Sequence, residues 1–162
     1  AGGIILLQNQ KPASQNSQQG LTNTQQKAAE KEPTTATKPV VISEWGVQIL
    51  VREDVADDVA YTMERRGGGE LESDVAKFYS KSIAAKSNDP KRKCTPENGV
   101  YFWTIDRLKA EPPNYYGQGT HIGEYWYVPT INGLGCDPEF ESERIVFVEA
   151  LKDAFKGIQT AP

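Results

Sequence analysis

Two cysteines, Cys94 and Cys136, bracket a stretch that holds the single histidine, His121, and eight of the fifteen aromatic residues: Tyr101, Phe102, Trp103, Tyr115, Tyr116, Tyr125, Trp126 and Tyr127. The chain has no other cysteine. An even count suits one disulfide and an oxidising compartment, and the competing reading is two unrelated buried thiols. The stretch reads as two strands and their loops, closed at its ends by a Cys94–Cys136 disulfide, with the rest of the chain leading up to it or packing on it.

The first strand runs from Val100 to Ile105, with Tyr101, Trp103 and Ile105 on one side and Val100, Phe102 and Thr104 on the other. Both sides are apolar or half so, which predicts a central strand covered on both faces, or a partner surface on one of them. Ile122–Val128 is the second aromatic strand, and pairing it with the first would build cross-strand aromatic contacts. Between them lies Glu111-Pro112-Pro113-Asn114-Tyr115-Tyr116-Gly117-Gln118-Gly119. Adjacent tyrosines in a Pro/Gly loop are hard to bury together, and tyrosine gives a large contact area at small entropic cost. Tyr115 and Tyr116, and less directly Tyr125, are therefore the candidate contact residues, with local packing as the competing reading. Lys91, Arg92 and Lys93, beside Cys94, form a basic patch with Lys86. A patch of this kind is by default a solvated face; as a binding feature it would be an electrostatic rim toward an acidic surface polymer.

The remaining elements follow from periodicity. Val47, Ile49 and Val51 alternate with polar neighbours, and Gly46 divides the Val40–Val51 run into two short strands, with Trp45 as a core residue. Arg52–Asp58 reads as a solvated acidic loop that lacks the ligand pattern of a calcium loop. Val59–Met63 is a strand, and Arg65–Gly69 a turn without the Lys-Ser/Thr pair of a phosphate loop. Asp74–Ser80 is read as a strand followed by a short helix, Lys81–Lys86, in preference to one helix over Ser73–Lys86. Thr95–Gly99 is a turn in which Asn-Gly supplies positive φ. The last element is a helix capped by Asp137 or Ser142, with Pro138 and three glutamates in its first turn. Its apolar stripe is Phe147, Leu151, Ala154, Phe155 and Ile158. The predicted fold is α+β: a small antiparallel sheet of about five strands, a short helix and a C-terminal helix packed on the sheet, with one disulfide.

Mean hydropathy is low, −0.58, because residues 8–39 contain almost no large apolar side chain. Three segments follow. Ala1–Leu7 ends an apolar run abruptly and resembles the outer end of a truncated single-pass anchor, since a spanning helix takes about 20 residues, with a frayed tail as the competing reading. Residues 8–39 are a low-complexity tether expected to stay disordered, with an r.m.s. reach of roughly 30 Å. Residues 40–160 are the folded, extracytoplasmic domain, attached to the membrane through that anchor.

A net charge of −4 and a pI of about 5.1 disfavour nucleic acid as a partner. The expected role is non-enzymatic: a tethered cell-surface domain that binds a surface protein or glycan, or serves envelope structure. The alternative is a hydrolase acting outside the membrane, either a Cys-His enzyme using Cys94 or Cys136 with His121, or a carboxylate pair drawn from Glu97, Asp106 and Glu124. Two cysteines, one histidine and a carboxylate do not match known structural zinc spacings, so no metal or cofactor is expected.

Four segments carry a further resemblance: Val41-Ile42-Ser43-Glu44-Trp45-Gly46-Val47, Lys77-Phe78-Tyr79-Ser80-Lys81, Cys94-Thr95-Pro96-Glu97-Asn98-Gly99 and Ile122-Gly123-Glu124-Tyr125-Trp126-Tyr127. In their order and content the chain resembles the uncharacterised membrane-anchored extracytoplasmic domains of Saccharibacteria and related candidate-phyla bacteria. The resemblance covers about residues 40–160 and carries no known activity. It implies a surface-exposed domain in bacteria that live attached to a host cell. The Gly67–Gly69 turn and the Tyr115-Tyr116 loop depart from the pattern.

Overall fold

The computed structural model describes residues 36–67, 72–89, 91–114, 117–130 and 136–162. The expected anchor remnant and most of the tether, with Tyr115, Tyr116 and the Asn132–Gly135 turn, lie outside the described residues.

The predicted division of the first apolar run is a full chain reversal. Strands β1 (Thr37–Ile42) and β2 (Val47–Arg52) pair antiparallel from Ile42↔Val47 to Thr37↔Arg52. They turn at Ser43–Gly46, where Gly46 has φ +63°, a left-handed conformation that costs any residue with a Cβ about 1–2 kcal/mol. Ile42, Val47, Ile49 and Val51 are buried as the period of two requires, and Val41 and Leu50 face out. β1 begins at Thr37, three residues ahead of the expected Val40 boundary.

The Arg52–Asp58 segment, expected as a loop, contains one helical turn, α1 (Glu53–Ala56). Glu53 and Asp54 sit at its positive end while Val55 and Ala56 turn inward, so acidic composition and local helicity agree. Next come β3 (Val59–Arg66), β4 (Ser73–Ser80) and α2 (Lys81–Lys86). Ser80 decides between strand-then-helix and a continuous helix. Its backbone is extended, and its hydroxyl accepts from the Ile83 N–H at 3.1 Å, an N-cap. The Asp58 carboxylate accepts from the Ser82 N–H at 2.7 Å and satisfies a second free donor of the same turn.

β5 (Trp103–Leu108), β6 (Thr120–Ile122) and β7 (Tyr125–Thr130) complete a five-stranded antiparallel sheet in the order β3-β4-β5-β7-β6. β5 is central and buried on both faces, as its double-sided apolar pattern predicts. Three details differ from expectation. The single strand expected over Ile122–Val128 is broken by a turn at Gly123-Glu124, with Gly123 at φ +63°, into the paired strands β6 and β7. The alternation breaks before Trp103: Phe102 and Trp103 both reach the C-terminal helix, while Tyr101 lies against Lys77 on the other face. In addition, β7 pairs along β5 from Thr104↔Thr130 to Leu108↔Trp126 and stops one residue short of Trp103. Trp103 therefore finds its aromatic cross-strand partner in Phe78 of β4, with ring centroids 5.5 Å apart, and not in β7.

The C-terminal helix α3 (Glu141–Phe155) follows a 3-10 turn, Pro138–Phe140, in which the Asp137 carboxylate accepts from the Glu139 N–H at 3.1 Å. All five residues of the predicted stripe are buried, joined by Val148 and Ala150. Beyond the helix, β8 (Gln159–Thr160) pairs with β2 and makes a second sheet, ordered β1-β2-β8. Two residues give no periodic signal, and this segment reads in the sequence as a tail. The fold is α+β, with two antiparallel sheets where one was expected. Among the described residues no helix is long and apolar enough to cross a membrane.

Cys94 and Cys136 are joined in a disulfide across 42 residues. Cys94 is fully buried, its N–H donating to the Ser87 hydroxyl at 3.0 Å. The adjacent Asp137 N–H donates to the Arg92 carbonyl at 3.2 Å, so the bond pins the start of α3 to the connection between α2 and β5. A loop of this length predicts that the Cys94→Ala/Cys136→Ala variant loses about 2–4 kcal/mol. Urea unfolding of the oxidised, reduced and doubly substituted protein checks this, the last two matching each other.

Candidate functional site

The register of β5 and β7 places Leu108 beside Trp126 at one end of the five-stranded sheet. There the chain leaves β5 through Lys109–Asn114 and returns to β6 through Gly117–Gly119. Tyr125 and Trp126 are consecutive in β7, so they stand on opposite faces of the sheet. Each lines a cleft against the same connection, of about 600 Å³ on the Tyr125 side and about 480 Å³ on the Trp126 side.

The Tyr125 cleft is lined by Arg65, Glu72, Ser73, Asp74, Arg107, Lys109 and Ala110. Arg107 dominates its floor. Its guanidinium lies 4.5 Å from the Tyr125 ring centroid and 5.3 Å from that of Trp45, and Nη2 donates to Asp74 Oδ2 at 2.5 Å. Its Nε is buried without a hydrogen-bond partner among the described residues. Arg65 is paired with Glu72. Since Trp45 belongs to the β1–β2 turn, Arg107 joins the two sheets through its contact with that ring, while Asp74 and Tyr125 hold its guanidinium within the five-stranded sheet. Burial pushes the neighbouring Tyr127 phenol up, opposed by the Arg107 charge. Arg107→Ala is expected to cost about 2–3 kcal/mol, from the lost charged hydrogen bond and stacking. Thermal and urea unfolding measure that loss.

The Trp126 cleft is lined by Glu111, Pro112, Asn114, Gly117, Gln118 and Gly119. The exposed His121 stacks on Trp126, with centroids 4.8 Å apart and planes 26° apart. A Cβ on Gly119 would come within 3.1 Å of the Tyr127 carbonyl oxygen, so the absence of a side chain lets the returning loop lie flat on β7.

Of the residues singled out by sequence, Tyr125 lies in a cleft. Lys91, Arg92 and Lys93 are exposed and line neither cleft; the disulfide holds them near the start of α3. The paired sulfurs of Cys94 and Cys136 leave no free thiol among the described residues, and His121 rests on Trp126. Among the described residues no cluster of three His, Cys, Asp or Glu could hold a metal ion. Sequence reasoning passed over Trp126 and Arg107. Trp126 was visible as the opposite-face neighbour of Tyr125. The signal for Arg107 was a charged residue inside an otherwise buried strand, which needs partners to be there.

The three candidate carboxylates are not assembled. Glu97 and Glu124 are exposed in separate turns, whereas Asp106 is buried on β5. Asp106 pairs with Val128 within β7, whereas Glu124 sits in the turn that precedes that strand. It accepts hydrogen bonds from the Ser73 hydroxyl at 3.2 Å and the Thr130 hydroxyl at 3.3 Å. Burial pushes its carboxyl up, against those bonds and the Arg66 charge. A carboxyl raised in the fold favours folding most when protonated. Its contribution is whole below the unfolded value of about 3.9 and is lost as pH rises through the folded value. Asp106→Asn, whose amide suits two rotatable hydroxyls, should be as stable as the parent or more so at pH 7. It should also flatten the stability profile above about pH 4, as read by urea unfolding across pH.

No family model, no curated protein and no solved structure matches the chain.

Proposed function

We propose that this chain is a non-enzymatic binding domain tethered at the cell surface, outside the membrane, and that it meets its partner through the β5–β6 end of the five-stranded sheet. The observation that carries the reading is the placement of Tyr125 and Trp126, adjacent aromatic residues that line clefts on both sides of one connection. Aromatic side chains framed by charged and amide groups are the usual makings of a contact surface. The disulfide fits an oxidising compartment, and the Gln/Ser/Thr-rich residues 8–39 fit a spacer between a membrane and a folded head. Lys91, Arg92 and Lys93, held apart from the clefts, serve as a long-range electrostatic rim.

Binding of the labelled protein to bacterial and host-cell surfaces tests the proposal. Tyr125→Ala/Trp126→Ala is expected to weaken binding by about tenfold or more, the size of an interface anchor. Neutralising the three basic residues should matter only at low salt. Full binding by the aromatic double variant would move the contact surface elsewhere.

A further inference from the structure

The two clefts differ in what they leave available to a ligand. On the Tyr125 side, Arg107 and Arg65 are already paired with Asp74 and Glu72, and Arg107 stacks on the Tyr125 ring. Those two guanidinium groups are therefore engaged within the protein, and Lys109 remains as a cation of that lining. On the Trp126 side the lining contains an indole, the Pro112 ring, the amides of Asn114 and Gln118 and the Glu111 carboxylate, and among the described residues no cation.

This composition selects a ligand chemistry. The only charged group in the described lining is negative, so a phosphate, sulfate or uronate ligand meets repulsion and finds no counter-charge. A purely apolar ligand would strip water from two amides and a carboxylate without replacing it. A molecule dense in hydroxyls satisfies all three, because each primary amide both donates and accepts and the carboxylate accepts. An indole face, negative at its centre, favours the positively polarised C–H groups on one side of a pyranose ring. His121 stacking on Trp126 fixes the indole plane in advance, so little side-chain freedom remains to be lost on binding. The volume, about 480 Å³, falls in the range of small-ligand sites, roughly 300–1,000 Å³.

We propose that the Trp126 cleft is a saccharide site that takes one or two uncharged sugar rings, with Trp126 as the stacking platform and Asn114, Gln118 and Glu111 bonding the hydroxyls. The inference rests on the reading of this sheet end as a binding surface and names the ligand class for one side of it.

The test titrates the full chain with a panel of neutral disaccharides (cellobiose, maltose, lactose and N,N′-diacetylchitobiose), following the indole N–H resonance of Trp126 and the side-chain amide resonances of Asn114 and Gln118. At least one sugar is expected to give saturable shifts at all three. Trp126→Ala should weaken that binding about tenfold or more. Asn114→Ala and Gln118→Ala, both at exposed positions that leave the fold intact, should weaken it severalfold. Glucuronic acid should bind more weakly than glucose, and Glu111→Gln should narrow the gap. Absence of shifts across the panel, or shifts that persist in the Asn114 and Gln118 variants, overturns the saccharide assignment. Cell-surface binding that needs Tyr125 and Trp126 yet survives enzymatic deglycosylation overturns it too, while leaving the surface-binding proposal standing. Loss of that dependence on Tyr125 and Trp126 overturns both.

Discussion

The fold depends on how the dipeptide Phe102-Trp103 meets helix α3. Phe147 packs edge-on against Phe102 and Phe155 against Trp103, at 5.9 and 5.7 Å, so two positions eight residues apart on the helix are fixed by two neighbours in the chain. From Trp103 the contact continues through Phe78 to Tyr61, which carries it to the edge strand β3. Each such pair adds about 0.5–1.5 kcal/mol beyond its buried area. Against that stands the Trp103 indole N–H, buried without a partner among the described residues, at a cost of about 1–3 kcal/mol. The cost falls on a ring that touches both Phe78 in the sheet and Phe155 on the helix.

Around this axis the disulfide and Arg107 hold the parts that the aromatic chain does not reach. The disulfide fixes where α3 begins, and the buried stripe fixes how the helix lies. Arg107 ties the β1–β2 turn to the five-stranded sheet through Trp45 and Tyr125. Its side chain thereby holds rigid one flank of the connection from β5 to β6, whose other flank carries Trp126.

Much of this was legible in the sequence where the period was long and unambiguous. The α3 stripe, the limits of α2, the interruption at Gly46 and the central position of β5 follow from patterns of 3.6 or two residues, or from one glycine in a left-handed turn. The parts that escaped are set by non-local geometry. Nothing in Gln159-Thr160 announces a strand, since β8 exists only because β2 offers a free edge. The offset between β5 and β7 leaves Trp103 to Phe78 and the helix, and the sequence of the two strands does not contain it. Of the site, Tyr125 could be read only as a secondary candidate, behind the Tyr115-Tyr116 pair of the preceding Pro/Gly loop. Arg107 and Trp126 gain their roles from neighbours brought in by β1, β4 and β6.

The pairing of β8 with β2 bears on the timing of folding. β2 is made early and β8 near the last of the described residues, and the three-stranded sheet has both its edges only when they meet. The Ala161 N–H also closes onto the Gly46 carbonyl at 2.8 Å, so the hairpin turn at one end of the domain waits for the residues at the other. Contacts this distant in sequence are slow to form, because the intervening loop must be ordered before they give anything in return. Until β8 arrives, β2 therefore presents an unpaired edge beside an apolar face. Closure of the three-stranded sheet is therefore a late event, and a chain that lacks Gln159 and Thr160 keeps that edge open.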